Sequence, residues 1–125
     1  MALTADTSIL TAIANDYGYE AVFARQVQAL GHRGDVLVGI STSGNSQNVI
    51  NALKAAKDKG LIAIAFTGET GGAMAPLADY HFAVESCDTA RIQEVQILAG
   101  HIICDWVDRE YAIGMGDLAC IAGDL

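Results

Sequence analysis

Asp35-Val36-Leu37-Val38-Gly39-Ile40, Ser41-Thr42-Ser43-Gly44-Asn45-Ser46 and Leu61-Ile62-Ala63-Ile64-Ala65-Phe66 are the three stretches whose reading decides the fold. The first and third are continuous apolar runs of strand length, the pattern of parallel strands buried on both faces. Between them the polar hexapeptide leads into a helical stretch from about Gln47 to Lys59, which Gly60 ends. Residues 35–66 therefore read as one βαβ unit, two parallel strands joined by a crossover helix.

Working outward, Thr67-Gly68-Glu69-Thr70-Gly71-Gly72 reads as a turn, and Ala73 to Ala78 as a short helical piece containing Pro76. Tyr80-His81-Phe82-Ala83-Val84 is a third strand. Thr89 is an N-cap candidate for a long helix over Ala90 to Ala112, with Ile92, Val95, Ile97, Ile102, Ile103 and Trp106 as its apolar stripe. Upstream, Ala2-Leu3-Thr4 looks like a strand end. Asp6, Thr7 and Ser8 offer cap chemistry for a helix over Ile9 to Asn15, and Glu20 to Leu30 is an amphipathic helix. This alternation gives an α/β fold, an open parallel sheet with flanking helices. Residues 1–113 form the domain, and 114–125 are an apolar, glycine-broken tail with no assigned structure.

Composition narrows the function. Seven basic and fifteen acidic residues leave a net charge of −8. That argues against nucleic acid, whose backbone is held mainly by Lys and Arg. An anionic metabolite would have to be held by local donors. Cys87, Cys104 and Cys120 are odd in number and lack CxxC spacing, so they read as core residues of a protein in a reducing compartment. No secretory leader and no run of membrane-spanning length is evident. The expectation is a soluble, cytoplasmic protein.

In open α/β sheets ligands bind beyond the carboxyl ends of the strands, which is where residues 41–46 and 67–72 fall. The hexapeptide precedes a helix N-terminus, whose free N–H groups and dipole favour an anion. Gly44 permits close backbone approach, and Ser41, Thr42, Ser43 and Ser46 add neutral hydroxyl donors. The competing reading is that Ser46 caps the helix and the rest is a polar loop, but four hydroxyls exceed what capping needs. The loop is neither a Walker motif nor a GxGxxG fingerprint, and no GxSxG elbow surrounds a serine. Asn15 and Asp16 read from sequence as the end of a short helix before Gly18.

Gln93 and His101 are eight residues apart, about 80° around and about 12 Å along a helix. They share a broad face without touching, and a ligand lying between them could meet both. Gly100 beside His101 costs a helix interior about 1 kcal/mol relative to Ala, which either close approach or packing would explain. A lone helical His more often packs or faces solvent than catalyses, although His is the side chain that titrates near neutrality.

Gly39-Ile40-Ser41-Thr42-Ser43-Gly44-Asn45-Ser46 after one strand, Thr67-Gly68 with Gly71-Gly72 after the next, and Thr89-Ala90-Arg91-Ile92-Gln93-Glu94 opening the last helix together resemble the sugar isomerase (SIS) family. Within it the chain is most similar to the phosphoheptose isomerases, which also match at Asn15-Asp16-Tyr17-Gly18. The resemblance runs from Leu3 to about Glu110. It implies a three-layer, flavodoxin-like SIS fold and interconversion of sedoheptulose 7-phosphate and D-glycero-D-manno-heptose 7-phosphate, a step towards the heptose of lipopolysaccharide. It implies that Ser41, Thr42, Ser43 and Ser46 hold the phosphate and that Asn15 and Asp16 contact sugar hydroxyls. His101 would be a catalytic acid/base and, in zinc-containing members, a metal ligand alongside Gln93. It further implies a homotetramer with sites shared between subunits.

Family members carry an N-terminal helical region and a first strand with a GNGGSA-like loop, which supply a catalytic glutamate and a zinc-binding histidine. No such stretch occurs in these 125 residues. The chain thus reads as an N-terminally truncated domain, with an exposed sheet edge and an uncovered apolar face. Two other readings stay open. One is a non-catalytic SIS module binding a sugar phosphate or a protein such as a replication initiator, and the other is a nonfunctional remnant. Ser43 and His101 favour the isomerase, because the initiator-binding relative tends to carry Arg at the former position and to lack the latter.

Overall fold

The computed structural model describes residues 1–115, with side chains to residue 112. The chain divides into two compact units, Met1–Ile92 and a second beginning at Gln93. In the first, helices α1 (Thr7–Tyr17) and α2 (Val22–Leu30) precede a strand β1 (Val36–Ile40). Helix α3 (Gln47–Lys59), strand β2 (Ile62–Gly68) and strand β3 (Tyr80–Val84) follow. Short 3-10 turns cover Tyr19–Ala21 and Ala75–Leu77.

The three strands are parallel in the order β1-β2-β3, with Val38 opposite Ile64 and Phe66 opposite Phe82. The βαβ unit and the α/β class are as the sequence implies, and α3 begins and ends where expected. Gly60 takes the left-handed conformation that closes α3, at φ 73°, and Lys57 and Lys59 sit in the last turn where the helix dipole favours cations.

α3 lies across one sheet face. Ile50 and Leu53 pack with Ala63, Ala65 and Met74, while Val27 of α2 meets Ala52, Ala55, Ala56 and Leu61. The opposite face departs from the expectation of strands buried on both sides. Val36, Val38 and Ile40 are 55%, 46% and 56% exposed, and Ile62 is exposed as well. An apolar run reports that both faces favour cover, not that both receive it. An apolar hollow of about 670 Å³ lies along β1, lined by Leu3, Phe23, Val27, Leu30 and the strand itself.

Several local expectations change. Ala2-Leu3-Thr4 is not a strand end; Leu3 and Thr4 form a turn, and the Leu3 carbonyl accepts a bond from the buried Gln26 Nε2 at 2.9 Å instead of pairing with a strand. Glu20 lies in a 3-10 turn and α2 starts at Val22. Thr67 and Gly68 are the last residues of β2 rather than turn, because they pair with Ala83 and Val84. Cys87 and Cys104 are exposed rather than core, and Cys120 lies outside the described residues.

The final helix, α4, spans Thr89–Met115 and so continues past the expected end. Asp88, not Thr89, caps it: Oδ1 accepts the Ala90 N–H at 2.9 Å and its carbonyl accepts the Ile92 N–H at 3.0 Å. Residues 116–125 of the expected tail lie outside the described residues. Of the expected apolar stripe only Ile92, in the first unit, is buried; Val95, Ile97, Ile102, Ile103 and Trp106 are exposed. No described helix is long and apolar enough to cross a membrane.

Candidate functional site

β1 delivers the hexapeptide to the sheet's carboxyl end. Ser41 continues the strand pairing through its N–H to the Phe66 carbonyl at 3.0 Å, and its side chain is buried. The chain then turns tightly, with the Gly44 N–H donating to the Ser41 carbonyl at 3.0 Å. Gly44 has φ +66°, and a Cβ there would overlap the Gly71 carbonyl. Only glycine fits that position.

Three of the four hydroxyls converge. Ser41 Oγ lies 2.8 Å from Ser46 Oγ and 3.4 Å from Ser43 Oγ. Ser46 occupies the N-cap position of α3, yet its side chain makes no capping hydrogen bond. A Ser N-cap ordinarily points its oxygen at a first-turn amide. Here the hydroxyl turns back to Ser41, so the start of α3 keeps donors that its own cap does not use, and no acidic residue stands in the first turn. The capping explanation of Ser46 therefore does not hold.

Asn45, which the sequence reading left without a role, braces the loop. Its Nδ2 donates to the Ser43 carbonyl at 3.0 Å, and its Oδ1 accepts the Ala73 N–H at 3.0 Å. The second strand-end loop reinforces the first: Gly68 N–H donates to the Thr42 carbonyl at 2.9 Å and Met74 N–H to the Gly44 carbonyl at 3.0 Å. The two loops that the strand-end rule placed together are thus directly bonded. Thr67 also binds His81, a residue to which sequence gave no function. Only the register of β2 against β3 reveals that pair.

Asn15 and Asp16 occupy the last turn of α1, exposed and bonded to each other from Asn15 Nδ2 to Asp16 Oδ1 at 2.8 Å. The 3-10 turn after α1 is tied to α3, since Asn51 Nδ2 donates to the Glu20 carbonyl at 3.1 Å. Gln93 and His101 both lie on α4 in the second unit, and both are exposed. A Cβ on Gly100 would meet nothing within 4 Å among the described residues, so no packing among them accounts for that glycine.

A profile of the SIS domain matches residues 1–68. The chain belongs to the SIS domain family. This SIS chain is 61% identical over 109 residues to a phosphoheptose isomerase of Aneurinibacillus thermoaerophilus, covering 87% of the chain and 55% of that relative. It is 58% identical over 112 residues to one of Helicobacter pylori, covering 90% of the chain and 58% of the relative. Among solved structures, the phosphoheptose isomerase of Neisseria gonorrhoeae superposes with TM-score 0.84 at 55% identity, over 87% of the chain and 61% of that protein. That of Francisella tularensis gives 0.84 at 41% identity, over 87% and 59%. The SIS chain thus spans little more than half the length of the curated relatives it matches.

Zinc is a stricter test. A catalytic zinc takes three protein ligands, and the resemblance names two in this chain, Gln93 and His101. Among the described residues no group of three or more His, Cys, Asp or Glu could hold a metal ion. These residues do not fit a zinc site by themselves.

Proposed function

We propose that this SIS chain serves an aldose–ketose isomerase that converts sedoheptulose 7-phosphate to D-glycero-D-manno-heptose 7-phosphate. The observation that carries the reading is the hydroxyl cluster at the start of α3, with Ser46 facing Ser41 at 2.8 Å instead of capping the helix. A phosphate dianion fits there without lysine, which suits a chain of net charge −8. Ser41, Thr42, Ser43 and Ser46 donate to its oxygens, the α3 dipole favours its charge, and Asn15 and Asp16 contact sugar hydroxyls.

The chemistry moves one proton between adjacent carbons. A base takes a proton from C1 of the ketose while an acid protonates the C2 carbonyl oxygen, giving an enediol. Loss of the O1 proton then forms the C1 aldehyde as a proton is delivered to C2. His101 takes one of these proton-transfer roles, because imidazole both accepts and releases protons near neutral pH. Gln93 binds substrate oxygens. The phosphate anchor at one end of the seven-carbon chain reduces the motions that must be frozen before the far end reacts.

The same reading places the protein in the cytoplasm as a homotetramer whose sites are shared between subunits, supplying heptose for lipopolysaccharide. The similarity to phosphoheptose isomerases supports it. Calorimetric titration of the 125-residue chain with sedoheptulose 7-phosphate, followed by a turnover assay, tests it. Binding that Ser41→Ala abolishes or weakens is expected, with any turnover lost in His101→Ala. No binding by the unaltered chain would overturn the reading.

A further inference from the structure

His81 sits on β3, exposed at its outer edge, yet its Nε2 lies 2.7 Å from Oγ1 of Thr67, a side chain with no solvent exposure. The two residues are diagonal neighbours on adjacent strands, since His81 pairs with Ala65 and Thr67 lies two residues further along β2. Thr67 Oγ1 also stands 2.8 Å from the Gly68 carbonyl. A hydroxyl has one proton to give. If that proton goes to the Gly68 carbonyl, the contact with His81 is satisfied only when Nε2 carries hydrogen and donates. The same Gly68 carbonyl accepts the Gly71 N–H at 3.1 Å. With the proton placed so, donation runs from His81 through Thr67 into the turn that begins at Gly68.

Packing agrees with the bonding. Gly71 has φ +70°, and a Cβ there would come within 2.7 Å of His81 Cε1, so the imidazole rests against bare backbone. On its far side the Gly71 carbonyl packs against Gly44, where a Cβ would come within 2.2 Å of it, and a Cβ on Gly72 would lie 2.6 Å from the Gly44 carbonyl. Gly68 N–H meanwhile binds the Thr42 carbonyl at 2.9 Å. The imidazole thus meets Thr67 and Gly71, and Gly68 and Gly71 in turn meet the backbone of the hydroxyl loop at Thr42 and Gly44.

We infer that His81 is a positioning residue. Through Thr67 and Gly71 it latches the 67–74 loop against the 41–46 loop and holds the hydroxyls of the latter in their anion-binding arrangement. It touches no ligand itself. The inference rests on the proposed phosphate site, and it predicts an effect in the ligand-free protein as well.

The test compares the full chain with His81→Ala, His81→Gln and Thr67→Val. The Gln amide reaches about as far as Nε2 and keeps a donor, and Val keeps the buried volume without the hydroxyl. Amide hydrogen exchange in the absence of ligand reads the latch directly. Exchange at Gly44, Gly68 and Met74 is expected to quicken about tenfold in His81→Ala and Thr67→Val and to stay near the parent rate in His81→Gln. Affinity for sedoheptulose 7-phosphate is expected to fall about tenfold in the first two variants and to be restored by Gln. Unchanged exchange at those amides would overturn the latch, as would weakened binding that Gln fails to rescue. Should the parent chain bind no sugar phosphate, the site reading fails, and the exchange comparison alone still decides the latch.

Discussion

Ser41 and Ser46 share one short hydroxyl contact, 2.8 Å between Oγ atoms, across the turn that joins β1 to α3. The bond takes the N-cap side chain away from its helix. Ser46→Ala should therefore cost little stability, well below the ~1 kcal/mol of losing a working N-cap. The same change removes one of the hydroxyls proposed to hold phosphate and should weaken sugar-phosphate binding about tenfold. Ser46→Asp should separate the effects further: its carboxylate would cap α3 and raise the melting temperature while repelling the anion. Thermal melts and calorimetry on the three proteins decide this, and a large stability loss in Ser46→Ala would show that the hydroxyl caps after all.

Two glycines with positive φ make a matched pair. Gly34, at φ +90°, has nothing within 4 Å of a built Cβ, whereas Gly44, at φ +66°, abuts the Gly71 carbonyl. Gly34→Ala should cost about 1–2 kcal/mol for the left-handed backbone alone. Gly44→Ala adds a collision of two loop backbones and should cost about 3 kcal/mol or more, with loss of phosphate binding. Denaturant unfolding of both variants measures the difference, and equal losses would remove the argument that the loops are packed glycine to glycine.

Gly100 gives the opposite sign. It lies mid-helix in α4 with no neighbour among the described residues to exclude a methyl group. In the chain by itself Gly100→Ala should stabilise by up to about 1 kcal/mol, the propensity difference. Unfolding at low protein concentration checks it. Destabilisation there would mean that another surface presses on this glycine.

These contrasts mark what the sequence could convey. The βαβ unit was legible because apolar runs of strand length flank a helix of unmistakable period, and Gln47–Lys59 appears at its expected bounds. The meeting of the 41–46 and 67–72 segments was legible because both follow parallel strands at the same end of the sheet. The orientation of Ser46 was not, since a serine before a helix suits capping and ligand binding equally. The partnership of His81 with Thr67 depends on strand register, which no local pattern encodes. Cys87 and Cys104 looked like core because free cysteines are usually buried, yet one falls in the loop after β3 and the other on exposed α4.

The bare face of β1 has its own consequence. Val36, Val38 and Ile40 project from one side of the strand, each about half exposed, beside a strand edge that is unpaired among the described residues and its apolar hollow. Contiguous apolar surface next to unpaired backbone promotes association. Light scattering of the chain should rise with concentration, and Val38→Lys should reduce it without unfolding the protein. A parent chain that stays monomeric at high concentration would contradict this.

Cys87 carries the last prediction, a matter of thiol chemistry. Its Sγ donates to Glu69 Oε2 at 3.4 Å, and that hydrogen bond, followed by the negative charge of Glu69, raises the thiol pKa above its ordinary value. The reactive species is the thiolate, so a raised pKa means less of it at a given pH and slower alkylation. Glu69→Gln removes the charge, lets the pKa fall back, and should speed iodoacetamide labelling of Cys87 at pH 8. Cys104, exposed on α4, is the internal control and should label at an unchanged rate. Salt should mimic the substitution in part, because the Glu69 charge acts through solvent and is screened. Peptide mapping after timed labelling reads both cysteines in one experiment, and equal Cys87 rates in parent and variant would mean that the carboxylate does not govern this thiol.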